Sequence, residues 1–165
     1  ITFCLFAHQD MANIANLPQV LAFSCAEMLE DLSLEPTLRW PNDILCSHKK
    51  IGGILTETKP EKDSRFVAMG LGLNINMPLE LLENIPKPAT SILAEKGEMQ
   101  SIPAIQTLLE EKFQKNLEIF LDQGFSPFYQ PFKERMEKGN SLQFFDNQKI
   151  LHAGNPVFNP DGTLT

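Results

Sequence analysis

Nowhere in the 165-residue chain does an uninterrupted apolar run approach the ~20 residues that a membrane-spanning helix requires. Basic residues are also short. Fourteen Lys and Arg against 21 Asp and Glu leave a net charge of −7, so no basic stripe is available to neutralise a nucleic-acid backbone. A local cationic pocket for one small anion stays open, because net charge says nothing of how a pocket is lined. The three cysteines, Cys4, Cys25 and Cys46, are odd in number, widely spaced and set among apolar residues. They form no zinc pattern and read as reduced core residues of a cytoplasmic protein. His8, His48 and His152 stand apart from one another and read as ordinary core or surface residues, so no metal site is expected. The opening ITFCLFAHQD is too short and too uncharged for a signal peptide. Ile1 is not an initiator Met, and NPDGTLT stops where a strand is expected to begin, so the chain reads as a fragment.

What is present supports an ordinary core. Hydrophobic residues make up 42% of the chain and charged ones 21%, which suits one domain with a small appendage and not disorder. Residues 2–7 read as a buried strand. Pro18 opens a helix with Leu17, Val20, Leu21, Cys25, Met28, Leu29 and Leu32 at helical spacing, closed by Pro36. Residues 37–46 are strand-like but interrupted at 41–43, where the backbone must bend or bulge. A polar turn at 47–50 leads to a strand at 51–58, and a charged loop at 60–64 leads to another at 65–75. Strands joined by short turns imply an α+β fold, with a largely antiparallel sheet packed against helices. Residues 77–103 are Pro-rich and irregular, with a short helix at 89–95. An amphipathic helix spans 102–121, with Ile105, Leu108, Leu109, Phe113, Leu117, Phe120 and Leu121 on its inner face. Gly124 stops it, a second helix covers 125–138, and β character follows Gly139. No internal repeat is visible.

The chemistry-bearing residues lie in three stretches. Gly70-Leu-Gly72-Leu-Asn74 is not a dinucleotide fingerprint, since Ile75 fills the place of the third glycine and no helix follows. It is a strand that a ligand can approach closely, with the Asn74 amide able to read a heterocycle edge; a bulged core strand would look the same. Lys50-Ile-Gly52-Gly53-Ile-Leu55 again pairs bare backbone with a point charge for carboxylate or phosphate oxygens, although a solvated hairpin is the commoner origin of Lys-Lys turns. Arg39-Trp40-Pro41-Asn42-Asp43 holds the chain's single tryptophan, and alone it would be a turn.

Taken together and in this order, the three stretches resemble the K/R-W-P-N-D, K-x-x-G-I-L and G-x-G-x-N-x-N signatures of the biotin protein ligase family. Ala89-Thr90-Ser91-Ile92-Leu93 resembles its weaker A-T-S-L element. The resemblance implies a class II synthetase-like catalytic domain over 1–138 and the start of a small SH3-like β domain over 139–165. It implies a ligase that joins biotin to ATP with Mg²⁺, forms biotinyl-5′-AMP, and passes biotin to a lysine of the biotin carboxyl carrier protein domain of a carboxylase. No tightly bound cofactor is implied.

By the family pattern, Lys50, Asp43 and Arg39 are the catalytic candidates, with Lys50 contacting the biotin carboxyl oxygen and the α-phosphate. Gly52, Gly53 and Leu55 would border biotin, Gly70 and Gly72 would floor the adenylate, Asn74 would bond adenine, and Asn42 would help hold the adenylate. Arg39 stands where many members have Lys, and Trp40 is assigned to packing. The family's Gly- and Arg-rich loop, and the residues that grip biotin's ureido ring, lie upstream of a strand resembling 2–7. Without them, little or no ligase activity is expected. Lipoate ligases and octanoyltransferases share the fold, and a non-catalytic ligand-binding module would keep the scaffold. Exposed sheet edges could pair with the acceptor domain or with a second copy in a homodimer.

Overall fold

The computed structural model describes residues 1–8, 11, 13–137 and 157–165, together with the backbone of 142–146 and 149–154. Strand β1 (Thr2–His8) is followed by a 3-10 turn at Ile14–Asn16 and helix α1 (Leu17–Asp31). Then come β2 (Pro36–Arg39), β3 (Asp43–Cys46), β4 (Lys49–Pro60) and β5 (Ser64–Leu73). Short helices α2 (Leu79–Leu82) and α3 (Ile92–Lys96) precede α4 (Ile102–Gln123) and α5 (Ser126–Arg135). Strands β6 (Leu142–Asp146) and β7 (Lys149–Gly154) form an antiparallel pair of their own. Much of the segment expected to begin an SH3-like domain lies outside the described residues.

The main sheet has the order β1-β5-β4-β3-β2 and is antiparallel throughout. It is the meander expected from short turns between consecutive strands. Alternation then divides its faces. Ile54, Val67, Met69 and Leu71 point inward and are buried, whereas Leu55, Phe6, Gly53, Gly70 and Gly72 lie on the opposite side. The inward face packs on α1, which joins α4 behind it in one hydrophobic core.

Helix α1 is buried nearly all round, since Ala22, Phe23, Ser24, Cys25 and Ala26 are inaccessible on successive faces. It ends before the expected stop at Pro36. Ser33 adopts a left-handed conformation (φ +62°), its N–H donates to Glu30 O at 2.8 Å, and Leu34 N–H donates to Leu29 O at 3.0 Å. That double bond closes the last turn without a glycine. Burial pushes the Cys25 thiol up to about 12, so it packs as a neutral group. Cys46 is also buried, but Cys4 is exposed on the outer face of β1, contrary to the core role expected for it.

The stripe on α4 is Ile105, Leu109, Phe113, Asn116 and Phe120. Leu121 is 59% exposed, because one residue past Phe120 the helix has turned ~100° away from the core. Asn116 takes an inner position unforeseen by hydropathy. Its amide donates to Ser24 Oγ at 3.0 Å and Glu27 Oε2 at 2.6 Å, which satisfies a buried polar group between α4 and α1. Phe125, Phe128 and Phe132 then bring α5 onto the same core.

Candidate active site

A cavity of about 840 Å³ opens on the face of the sheet that the helices leave uncovered. Its floor is β4 and β5. Their register sets Gly53 opposite Gly72 and Leu55 opposite Gly70, so two cross-strand pairs carry a single side chain between them. These glycines differ in what the fold asks of them. A Cβ on Gly52 would come within 2.9 Å of Gly72 O, so close strand packing requires glycine there. A Cβ on Gly70 would meet nothing nearer than 3.8 Å, and one on Gly72 nothing nearer than 4.0 Å. Neither has a positive φ. The protein's own packing therefore does not need glycine at 70 or 72, and their bareness serves the cavity.

One rim is Lys50. The pairing of β3 with β4 slips between Ile44 and Leu45, so Gly52 faces Ile44 while Lys50 faces Leu45, and Ile51 is the extra residue. The interruption expected at 41–43 is a bend, the turn through Trp40, Pro41 and Asn42 that links β2 to β3, and the bulge lies separately in β4. At the bulge, Lys50 keeps Leu45 of β3 as its register partner and also forms a parallel bridge with Ala89. Its N–H donates to Pro88 O at 3.0 Å and its carbonyl accepts from Thr90 N–H at 2.9 Å. The ammonium contacts the Asp43 carboxylate. A Cβ on Gly53 would lie 2.9 Å from Lys50 Nζ, so that glycine gives the lysine room to fold back over the strand.

The Ala-Thr-Ser element explains itself in this setting. Ser91 caps α3, its Oγ accepting from Ala94 N–H at 3.0 Å and donating to Met77 O at 2.6 Å, and Thr90 Oγ1 donates to Glu95. Asn74 lines the cavity, and its Nδ2 donates to Thr90 O at 2.9 Å. Among the described residues no protein donor reaches its Oδ1, which can accept from a ligand. Asn76 is a staple, bonded through both amide atoms to the Gln100 backbone at 2.8 and 2.9 Å.

Asn42 lines the cavity, with its Nδ2 donating to Ile54 O at 2.8 Å and its carbonyl accepting from Ile54 N–H at 2.9 Å. Asp43 stands behind Lys50. Arg39 faces Asp43 across the β2–β3 pair but does not line the cavity. Its Nε donates to Glu137 Oε2 at 2.7 Å, and that bond raises the guanidinium pKa above its ordinary value. The structure thus gathers Asn42, Lys50, Gly52, Gly53, Leu55, Gly70, Gly72 and Asn74 at one cavity, with Asp43 adjoining and Arg39 set back.

Sequence reasoning missed the far wall, formed by residues 85–89. It brings Lys87, so the charged residues lining the cavity are Lys50 and Lys87, both cationic, in a chain of net charge −7. The Pro86-Lys87-Pro88 run was the available signal, because prolines on both sides restrict the backbone around the lysine.

Comparison with known proteins agrees with this geometry. The sequence profile of the biotin/lipoate A/B protein ligase family matches residues 1–74. The structure superposes on the apo biotin protein ligase of Aquifex aeolicus with a TM-score of 0.78 at 26% identity, covering 99% of this chain and 72% of that one. The chain is similar to the biotin/lipoate A/B protein ligase family over its first 74 residues. Its fold is that of the biotin ligases. It is also similar to the bifunctional ligase/repressor BirA of Bacillus subtilis, 33% identical over 100 residues, which is 59% of this chain and 31% of that protein. It therefore spans about a third of the length of that curated relative. The Aquifex aeolicus enzyme solved in complex with biotin and ATP gives the same TM-score of 0.78 at 26% identity, over 99% of this chain and 69% of that one.

A larger residue on the cavity floor separates folding from binding. Gly72→Val places a β-branched side chain in a strand position with open space above it. The melting temperature should hold or rise, while affinity for any ligand lying on β4 and β5 should fall at least about tenfold. Differential scanning fluorimetry and calorimetric titration read the two quantities separately.

Proposed function

We propose that this protein carries out the ATP-dependent biotinylation of a carboxylase's biotin-acceptor lysine through biotinyl-5′-AMP. The observation that carries the reading is the bare Gly70–Gly72 floor, which the fold does not require, lying beside the Lys50 ammonium. The similar Aquifex aeolicus protein binds biotin and ATP, which supports both ligands for this cavity.

In the first step an oxygen of the biotin carboxylate attacks the α-phosphorus of ATP. The bond from that phosphorus to the bridging oxygen breaks, and pyrophosphate leaves. Two anions must meet, so fixed positive charge offsets their repulsion and stabilises the charge of the transition state. Lys50, held by Asp43 and by the Pro88–Thr90 backbone, supplies it. Leu55 and the backbone of Gly53 border biotin, Gly70 and Gly72 lie under the adenylate, and Asn74 Oδ1 accepts from the adenine amino group. In the second step the acceptor amine attacks the acyl carbon and AMP departs, with Asn42 and Asp43 orienting the reacting groups. Arg39 acts on the site through Asp43, its partner across the strands. No carboxylate lines the cavity among the described residues, so the lining does not itself supply a Mg²⁺ site. A magnesium ion would arrive on the ATP phosphates.

The acceptor is the biotin carboxyl carrier protein domain of a carboxylase, and the open edge of β1 offers a strand for pairing with it or with a second copy. The cytoplasm is the proposed location, in keeping with free thiols at Cys4, Cys25 and Cys46. Among the described residues no helix is long and apolar enough to cross a membrane.

Exchange of labelled pyrophosphate into ATP by the intact protein, with the residues that precede Ile1, tests the reading. Biotin should stimulate exchange and raise the melting temperature, and lipoate should do neither. Stimulation by lipoate would move the assignment to lipoate chemistry. A melting shift with biotin but no exchange would leave a binding module without catalysis.

A further inference from the structure

A turn near the end of the chain, far in sequence from the cavity, reaches the segment that carries Asn42 and Asp43. Phe158 pairs with Leu164, and Gly162 N–H donates to Asn159 O at 2.9 Å, closing a turn around Pro160 and Asp161. The Phe158 ring stacks on Phe132 with centroids 5.2 Å apart, and Tyr129 Oη donates to Phe158 O at 3.2 Å. The turn is therefore anchored on α5.

Its tip settles on the start of α1. Asn16 Nδ2 donates to Asp161 O at 2.9 Å, and Gln19 Nε2 donates to Gly162 O at 2.7 Å. Both side chains are buried, each 5% exposed, so these amides are committed to the turn. Gly162 has φ +82°, and a Cβ there would overlap the Asn16 amide and come within 2.5 Å of Gln19 Oε1. Glycine is required on two grounds. The same Gly162 carbonyl also receives the indole N–H of Trp40, at 3.4 Å. That bond is at the long limit, so a small shift of the turn would release it. The indole borders a hollow of about 440 Å³, so core packing does not enclose it on that side.

Trp40 is two residues before Asn42 and three before Asp43. We infer that the Asp161–Gly162 turn braces the cavity: Gly162 is a positioning residue that holds Trp40, and through it the segment presenting Asn42 and Asp43 to the ligand. Trp40 is thus more than packing. It connects the chain's last residues to the site, and the inference rests on the function proposed above.

The single tryptophan of the chain is also the probe. Binding of a non-hydrolysable biotinyl-adenylate analogue is measured by calorimetry, and Trp40 emission is recorded with and without it. Gly162→Ala should weaken the analogue about tenfold, a common size for coupling between contacting groups, and should shift the ligand-free emission to the red. Gln19→Ala removes a donor without adding atoms, should act in the same direction, and serves if Gly162→Ala does not fold. Trp40→Phe keeps a ring but loses the N–H. Its penalty should not add to that of Gly162→Ala or Gln19→Ala. Leu109→Ala, a core truncation remote from the turn, should lower the melting temperature with affinity unchanged. If the wild-type protein does not bind the analogue, the proposed function falls. If it binds and the turn variants bind equally well, or their penalties simply add to that of Trp40→Phe, the brace is overturned and the function stands.

Discussion

Lys50→Ala should lower biotin-stimulated pyrophosphate exchange by about 10²–10³-fold, equivalent to about 3–4 kcal/mol of barrier. The size follows from position. The ammonium lies at the rim of a cavity whose other charged lining residue, among those described, is Lys87, and the Asp43 carboxylate that it contacts orients it from outside that lining. Its backbone is clamped by Pro88 and Thr90, so the charge is positioned before the ligand arrives. The fold should tolerate the change, since the Lys50 side chain is 45% exposed and its pairing with Asp43 is largely a surface contact. Lys49→Ala is the control. Its side chain does not line the cavity, and exchange should stay within about twofold of the parent rate. A Lys50→Ala variant with a near-normal rate would remove this residue from the chemistry.

Phe120→Ala should cost about 3–5 kcal/mol of folding free energy. The ring is 1% exposed and closes the α1–α4–α5 core beside Phe128, 6.5 Å away between centroids. Against a total of about 5–15 kcal/mol for a domain, that loss should lower the urea midpoint strongly while leaving the slope unchanged. Leu121→Ala, the next residue and 59% exposed, should change the folding free energy by no more than about 0.5 kcal/mol. Equal effects at 120 and 121 would contradict the orientation of α4.

The sheet was legible because its signals are local. Alternation, short polar turns and the glycine spacing of 70 and 72 lie within single strands, and the antiparallel meander follows from them. Lys50 and the cavity floor were legible because their motifs lie on β4 and β5, neighbours in sequence, and read together resemble a known pattern. What sequence hid depends on distant partners. Asn116 occupies a core position because Ser24 and Glu27 on another helix satisfy it. The end of α1 was misplaced because hydrogen bonds at Ser33, a residue with no strong stop signal, close the helix before Pro36 can. Lys87 was missed because the wall it belongs to is assembled by Lys50, Asn74 and Thr90, residues of three separate segments. Arg39 reads as a site residue from its motif, yet its side chain is drawn to Glu137, nearly a hundred positions along the chain.

The alternation along β5 gives consecutive residues opposite duties. Gly70 and Gly72 face the cavity, while Met69 and Leu71 fill the core. A slip of one residue would therefore put Leu71 into the cavity and a bare backbone into the interior at once. Misregistered chains cannot persist as folded but inactive molecules, because the same error removes both. Selection acting on either stability or binding keeps this strand in place for the other.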